Sequence, residues 1–321
     1  MFDFVRLIGM FFILVLLGYG PTALLMPPTM KKWGIWFAPW IGTVIIILFN
    51  ISASLANISI IKIIPIIGIF SFSTLVLALF LKKKLVFFSR LNSIILIFLL
   101  LSLFLFFFHN GQNISRNELV KASFFSDKSF VIALLQNGEI YKQGELIGPS
   151  LVIGFFFSLS KIYDMGDITN IFPLYGALLF PLIFTFFQST DNSRTLIAIC
   201  LAFAITYLIE FFLPTLNGKL SVGIGFVTIF LVYQYYVILS SEKKAVLQFY
   251  NLDLLIAITI STLTVTLSAY LFVSLLVLIS SATIITWIKE KNTAVLVAFI
   301  KVMVISLSIS PVTAGIVLQI R

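Results

Sequence analysis

NGQNISRNELVKASFFSDKSFVIALLQNGEIYKQGELIG, residues 110–148, is the one sizeable water-compatible stretch in a chain that is otherwise suited to lipid. Its charges balance, with Arg116, Lys121, Lys128 and Lys142 set against Glu118, Asp127, Glu139 and Glu145. If this stretch is a loop at the membrane surface, everything on either side of it reads as membrane-spanning helix. The reading therefore fixes an all-α polytopic bundle with one extended extracytoplasmic loop, spanning 109–148 when His109 is included.

Composition supports that division. Hydrophobic residues make up 60% of the 321 residues and charged residues 10%, whereas soluble domains carry about a quarter charged; the mean hydropathy is +1.15. The formal net charge of +9 would suggest nucleic acid in a soluble protein. Here the Lys and Arg residues sit in short clusters between apolar runs, as the positive-inside rule requires, so the charge orients helices and no nucleic-acid partner is expected. The single cysteine, Cys200, excludes an internal disulfide and a cysteine metal cluster, and the single histidine, His109, argues against an imidazole zinc site. The N-terminal apolar run lacks a small-x-small cleavage site and continues into LLMPPTMKKW, which predicts a retained first helix.

Crossing the hydrocarbon core takes about 20 apolar residues at about 1.5 Å each. Runs near that length predict helices over 5–26, 35–51, 63–81, 91–108, 147–163, 170–187, 195–213 and 220–240. The run 252–288 is too long for one straight crossing and predicts two shorter helices with a break near Ser268, Ala269 and Tyr270; a last helix covers 293–318. That gives ten or eleven segments, and no strand alternation of the kind a barrel needs. Residues 1–90 form an N-terminal group of helices, joined through KKKLVFFSR to a module over 91–321. Lys31 and Lys32, and Lys82, Lys83, Lys84 and Arg90, fit one cytoplasmic side, which sets the loop outward. Counting crossings from the loop then places Lys243, Lys244, Lys289 and Lys291 outside, against the rule, unless 147–163 or 170–187 does not cross fully.

Within the loop, Ser126, Asp127 and Lys128 precede the apolar run 130–135, which stops at Asn137 and Gly138. One reading is an N-capped surface helix. A second, compatible with it, places Asp127 at the membrane–water boundary as a general base. Glu118 and Glu139 are candidates of the same kind, and each is equally read as a solvated loop charge, as is Glu145. Arg116, Lys121, Lys128 and Lys142, with Tyr141 beside them, suit a phosphate at the bilayer surface, Arg116 by bidentate contact, or else snorkel. Two ionisable residues lie inside apolar runs, Glu210 and Lys301, where burying a charge costs at least about 2.5 kcal/mol. Each is expected either to snorkel to the nearer interface or to serve function, Glu210 as a substrate-binding group facing the loop. Asp164 and Asp167 are spaced as a carboxylate pair in a short turn; Asp167 either caps the next helix or helps hold a divalent metal.

The order of features over residues 117–288 resembles the GT-C superfamily of integral membrane glycosyltransferases. The resemblance is carried by an acid and short helix in FFSDKSFVIALLQNGEI, then the linker YKQGELIGPSLVIGFFFSLSKI, IFPLYGALLFPLIFTFF, a polar break at IEFFLPTLNGKLSVG, and the long hairpin LLIAITISTLTVTLSAYLFVSLLVLISS. Phe130 stands where a His or Tyr often follows the acid in that family, and the linker lacks the common Tyr-Pro pair. The resemblance implies transfer of a sugar from a polyprenyl-phosphate carrier to an acceptor on the outer side of the plasma or inner membrane, in glycan biosynthesis of the cell envelope. Asp127 is then the base and the basic loop residues hold the carrier phosphate; a divalent metal is compatible with this scheme. Two alternatives are a lipid-linked saccharide transporter or flippase, and a polysaccharide polymerase of another membrane fold.

Overall fold

The computed structural model describes residues 2–55, 58, 60–86, 89–110, 151–152, 154–156, 159, 171–190, 195–213, 215–241, 250–267, 269–291 and 293–310. Its elements are α1 (Phe2–Leu25), α2 (Gly34–Leu55), α3 (Ile60–Phe80), α4 (Arg90–Asn110), α5 (Ile171–Thr190), α6 (Thr195–Phe212), α7 (Leu216–Ser241), α8 (Tyr250–Thr266), α9 (Ala269–Glu290) and α10 (Thr293–Ile309). Among the described residues there is no strand. Six helices among the described residues are long and apolar enough to cross a membrane, and α4, α5, α8 and α10 are shorter apolar helices. The chain is thus a helical multi-pass membrane protein, because in lipid every backbone group must be satisfied within its own segment.

Helix ends follow local chemistry. Ser89 Oγ accepts the Asn92 amide before α4, and Thr215 Oγ1 accepts the Gly218 amide before α7, both N-caps that replace a missing intrahelical acceptor. At the end of α3, the Lys83 amide donates to Ala78 O and the Lys82 amide to Leu79 O, the bonding of a Schellman stop. Lys82 accordingly takes a left-handed conformation, φ 54°, as does Lys291 after α9, φ 49°. The predicted break in 252–288 falls at residues 267–268, between α8 and α9.

The centre of the bundle is α2, whose apolar window is 89% buried. It meets α1 and α3 on one side and α5, α7 and α8 on the other, so one hydrophobic core runs from Leu7 to Val302. Contact with α1 is backbone to backbone: a Cβ at Gly18 would lie 1.8 Å from Ala38 O, and one at Gly42 would lie 2.3 Å from Leu14 O. Small residues let membrane helices approach this closely, and dispersion then replaces the missing hydrophobic drive. Trp40 anchors the other side, donating to Leu178 O at 3.3 Å and meeting Tyr175 edge-on, while Thr43 and the Tyr175 hydroxyl share a 2.7 Å hydrogen bond.

These contacts fix the direction of each helix. Lys83 Nζ donates to Leu24 O, the Val86 amide to Lys31 O, and Trp36 Nε1 to Asn92 Oδ1, gathering the ends of α1 and α3 and the starts of α2 and α4. Partial burial, and then the nearby Lys83 charge, hold the Lys31 ammonium below its usual pKa. Helix α5 runs antiparallel to both α2 and α4: Trp33 meets Phe184, Thr43 meets Tyr175, Phe98 stacks on Phe180, and Phe106 approaches Gly176. Helices α8 and α10 run parallel, with Ser261 bonded to Ser306 O and Ser310 to Thr264. Lys31, Lys32, Lys82, Lys83, Lys84, Lys289 and Lys291 therefore share one end of the bundle, the basic end. Lys243 and Lys244 lie outside the described residues.

The end of α4 and the start of α5 lie together at the opposite end, the loop end. Residues 111–170, which join them, therefore contribute an even number of crossings, zero included, so a crossing over 147–163 is not the single passage between α4 and α5. Leu151 lies toward that end too, since Asn50 Nδ2, near the end of α2, donates to Leu151 O at 3.0 Å. With an even number of crossings there, the conflict with the positive-inside rule disappears.

Gly18→Val is expected to lower stability by about 1–3 kcal/mol through overpacking against α2. Gly9→Ala, whose Cβ would meet nothing within 4 Å, should be neutral to within about 0.5 kcal/mol. Thermal unfolding of the purified protein in detergent measures both.

Candidate functional site

Among the described residues two charged pairs lie inside the bundle, one near each end. At the loop end, Glu210 is in the last turn of α6 and Lys219 is in the first turn of α7, on either side of the turn at 213–215. Their side chains are 2% and 0% exposed, and Lys219 Nζ donates to Glu210 Oε1 at 2.5 Å. The Thr215 cap starts α7 so that Lys219 faces back across the turn. Gly176 of α5 makes room for the carboxylate, since a Cβ there would come within 1.9 Å of Glu210 Oε2. Phe106 and Tyr207, ring centroids 6.4 Å apart, pack beside it. An ion pair is the arrangement that burial demands, because desolvating either charge alone costs several kcal/mol.

At the basic end, Asp253 in the first turn of α8 is fully buried. It accepts from Lys301 Nζ on α10 and from the Tyr235 hydroxyl on α7. Lys301 is 26% exposed on its side chain, so its stem reaches inward while part of it stays accessible.

Glu210 and Lys301, each expected either to snorkel or to serve function, are each paired with a counter-charge on another helix. Glu210 lies at the loop end. Asp127, Glu118 and Glu139, and Arg116, Lys121, Lys128, Lys142 and Tyr141, lie outside the described residues, as do Glu145, Asp164 and Asp167. Sequence reasoning missed Lys219 and Asp253. Each stands at the margin of a predicted helix, 220–240 and 252–288, where a charge reads as interfacial; the nine-residue spacing of Glu210 and Lys219 around Pro214 was the available signal. Among the described residues no group of three metal-ligating side chains occurs.

An open furrow runs between α7 and α9. Toward the loop end, a cavity of about 530 Å³ is lined by Thr215, Gly218, Ser221 and Val222 of α7 and by Leu271 and Leu275 of α9. It continues past Ile229 into a second cavity of about 720 Å³ that ends at Thr286 and Lys289. The furrow thus begins on the turns that flank Lys219 and opens toward lipid, because α9 is only 11% buried in its apolar window.

Compared with protein-family models, curated proteins and solved structures, the chain shows no match. What the fold and the two charge pairs define is a class: a helical multi-pass membrane protein with a buried ion pair under its polar loop end.

Lys219→Met alone is expected to cost about 3–5 kcal/mol, by stranding a buried carboxylate. Glu210→Gln with Lys219→Met should recover most of that loss. Denaturant unfolding of the two single variants and the double variant in a thermodynamic cycle measures the coupling.

Proposed function

We propose that the protein is a glycosyltransferase of GT-C type, which transfers a sugar from a polyprenyl-phosphate donor to an acceptor on the extracytoplasmic side of the membrane. The observation that carries the reading is the position of the Glu210–Lys219 pair. It is buried at the end of the bundle where residues 111–170 depart and return, beside a furrow open to lipid. A lipid-linked donor needs such a neighbourhood: an apolar channel for its tail next to a charged, partly dry pocket. The collected lysines of the opposite end face the cytoplasm under the positive-inside rule, and the loop then faces outward.

In this reading Asp127 removes the proton from the acceptor hydroxyl as that oxygen attacks the anomeric carbon. The bond from that carbon to the phosphate oxygen breaks, the polyprenyl phosphate departs with the bonding pair, and the configuration inverts in a single displacement. Arg116, Lys121, Lys128 and Lys142 hold the departing phosphate, whose charge grows in the transition state. Glu118 and Glu139 are secondary acids of the same loop. Glu210, already engaged by Lys219, holds the floor of the pocket in place.

The furrow favours a second reading, a flippase of lipid-linked saccharide, because it runs from the loop end to the basic end along α7 and α9. Against it, the two charge pairs sit toward opposite ends of the bundle, whereas a carrier is expected to gather its binding groups near mid-membrane.

In proteoliposomes supplied with a polyprenyl-phosphate sugar and acceptor, Asp127→Asn should lower transfer by about 10²–10⁴-fold, the usual worth of a general base. Unchanged turnover removes Asp127 from the mechanism; movement of the donor between leaflets without transfer supports the flippase.

A further inference from the structure

We propose that the basic-end half of the α7–α9 furrow is a binding site for an anionic phospholipid, with the phosphate at Lys289 and an acyl chain in the cavity beyond it. This site is remote from the loop end, and the inference does not rest on glycosyl transfer.

Three observations converge on it. The cavity, about 720 Å³, is within the range of sites that bind small molecules. Its polarity is graded along the membrane axis. Helices α7 and α9 run in the same direction here, with Tyr236 bonded to Thr283 across the gap. The inner stretch is walled by Ile229, Val232 and Leu278, whereas the outer stretch carries the Tyr233, Tyr236, Thr286 and Lys289 polar groups. That gradient matches a lipid entering tail first, and it places hydroxyl donors at the depth of the headgroup and glycerol, where tyrosines are enriched.

Charge gives the third. Lys289 is exposed, and among the described residues no carboxylate pairs with it. Asp253, the buried acid described at this end, is already held by Lys301 and Tyr235. Lys289 is also in the last turn of α9, so its ammonium is drawn toward the carbonyl end of the helix and stays beside the furrow's mouth. A zwitterionic lipid fills the apolar part equally well but brings no net negative charge to Lys289.

Native mass spectrometry of the full chain in detergent, titrated with phosphatidylglycerol or phosphatidylcholine, tests the assignment. The wild type should retain phosphatidylglycerol in preference, and Lys289→Gln should reduce its affinity about fivefold, the worth of one lysine at an anionic surface. Lys291→Gln, two residues on, should change it less than about twofold. Ala282→Trp, which fills the cavity from the α9 wall, should weaken both lipids while elution and helix content stay those of the wild type. Equal losses from Lys289→Gln and Lys291→Gln would mean diffuse surface attraction and overturn the proposal. So would equal binding of the two lipids, or an Ala282→Trp variant that binds as well as the wild type.

Discussion

A bilayer offers no water to a charge, and this constraint organises the bundle from both ends. Glu210 reaches Lys219 across a single turn, and Asp253 reaches Lys301 between helices separated in sequence by the whole of α9. The first pair clamps α6 to α7 and sets where α7 begins. The second ties α8 to α10 and, through Tyr235, to α7. Each pair costs desolvation and returns geometry, since a carboxylate in lipid tolerates few positions other than the one beside its counter-ion.

Between the two pairs the core is held by shape. Helix α2 meets α1 where Gly18 and Gly42 remove side chains from the contact, and it meets α5 where Trp40, Thr43 and Tyr175 interlock. The bundle is therefore densest around α2 and loosest at α9, whose outer face carries Leu271, Val273, Val277 and Ile285 into lipid. The furrow lies on that loose side. The opening of the furrow toward the membrane is thus located by a packing difference.

Much of the helical layout was legible in the chain itself, because a crossing needs a long apolar run and such runs have visible ends. The break between α8 and α9 could be read from length alone. The segment 147–163 could not: an apolar run reads the same whether or not it crosses, and only the shared end of α4 and α5 shows that it is not the single passage between them. Glu210 and Lys301 stood out as charges in apolar surroundings. Their partners did not, since Lys219 and Asp253 sit in first helical turns, where polar residues are ordinary. Pairing is a property of the fold, and a lone sequence gives each charge without its neighbour.

The shared end of α4 and α5 also bears on parity. Whatever residues 111–170 do, they contribute an even number of passages through the bilayer, zero included. Lengthening, trimming or exchanging that insert leaves the sidedness of every later helix untouched. A membrane scaffold built this way can vary the segment between α4 and α5 in evolution, while the lysine-rich end stays on the same side of the bilayer.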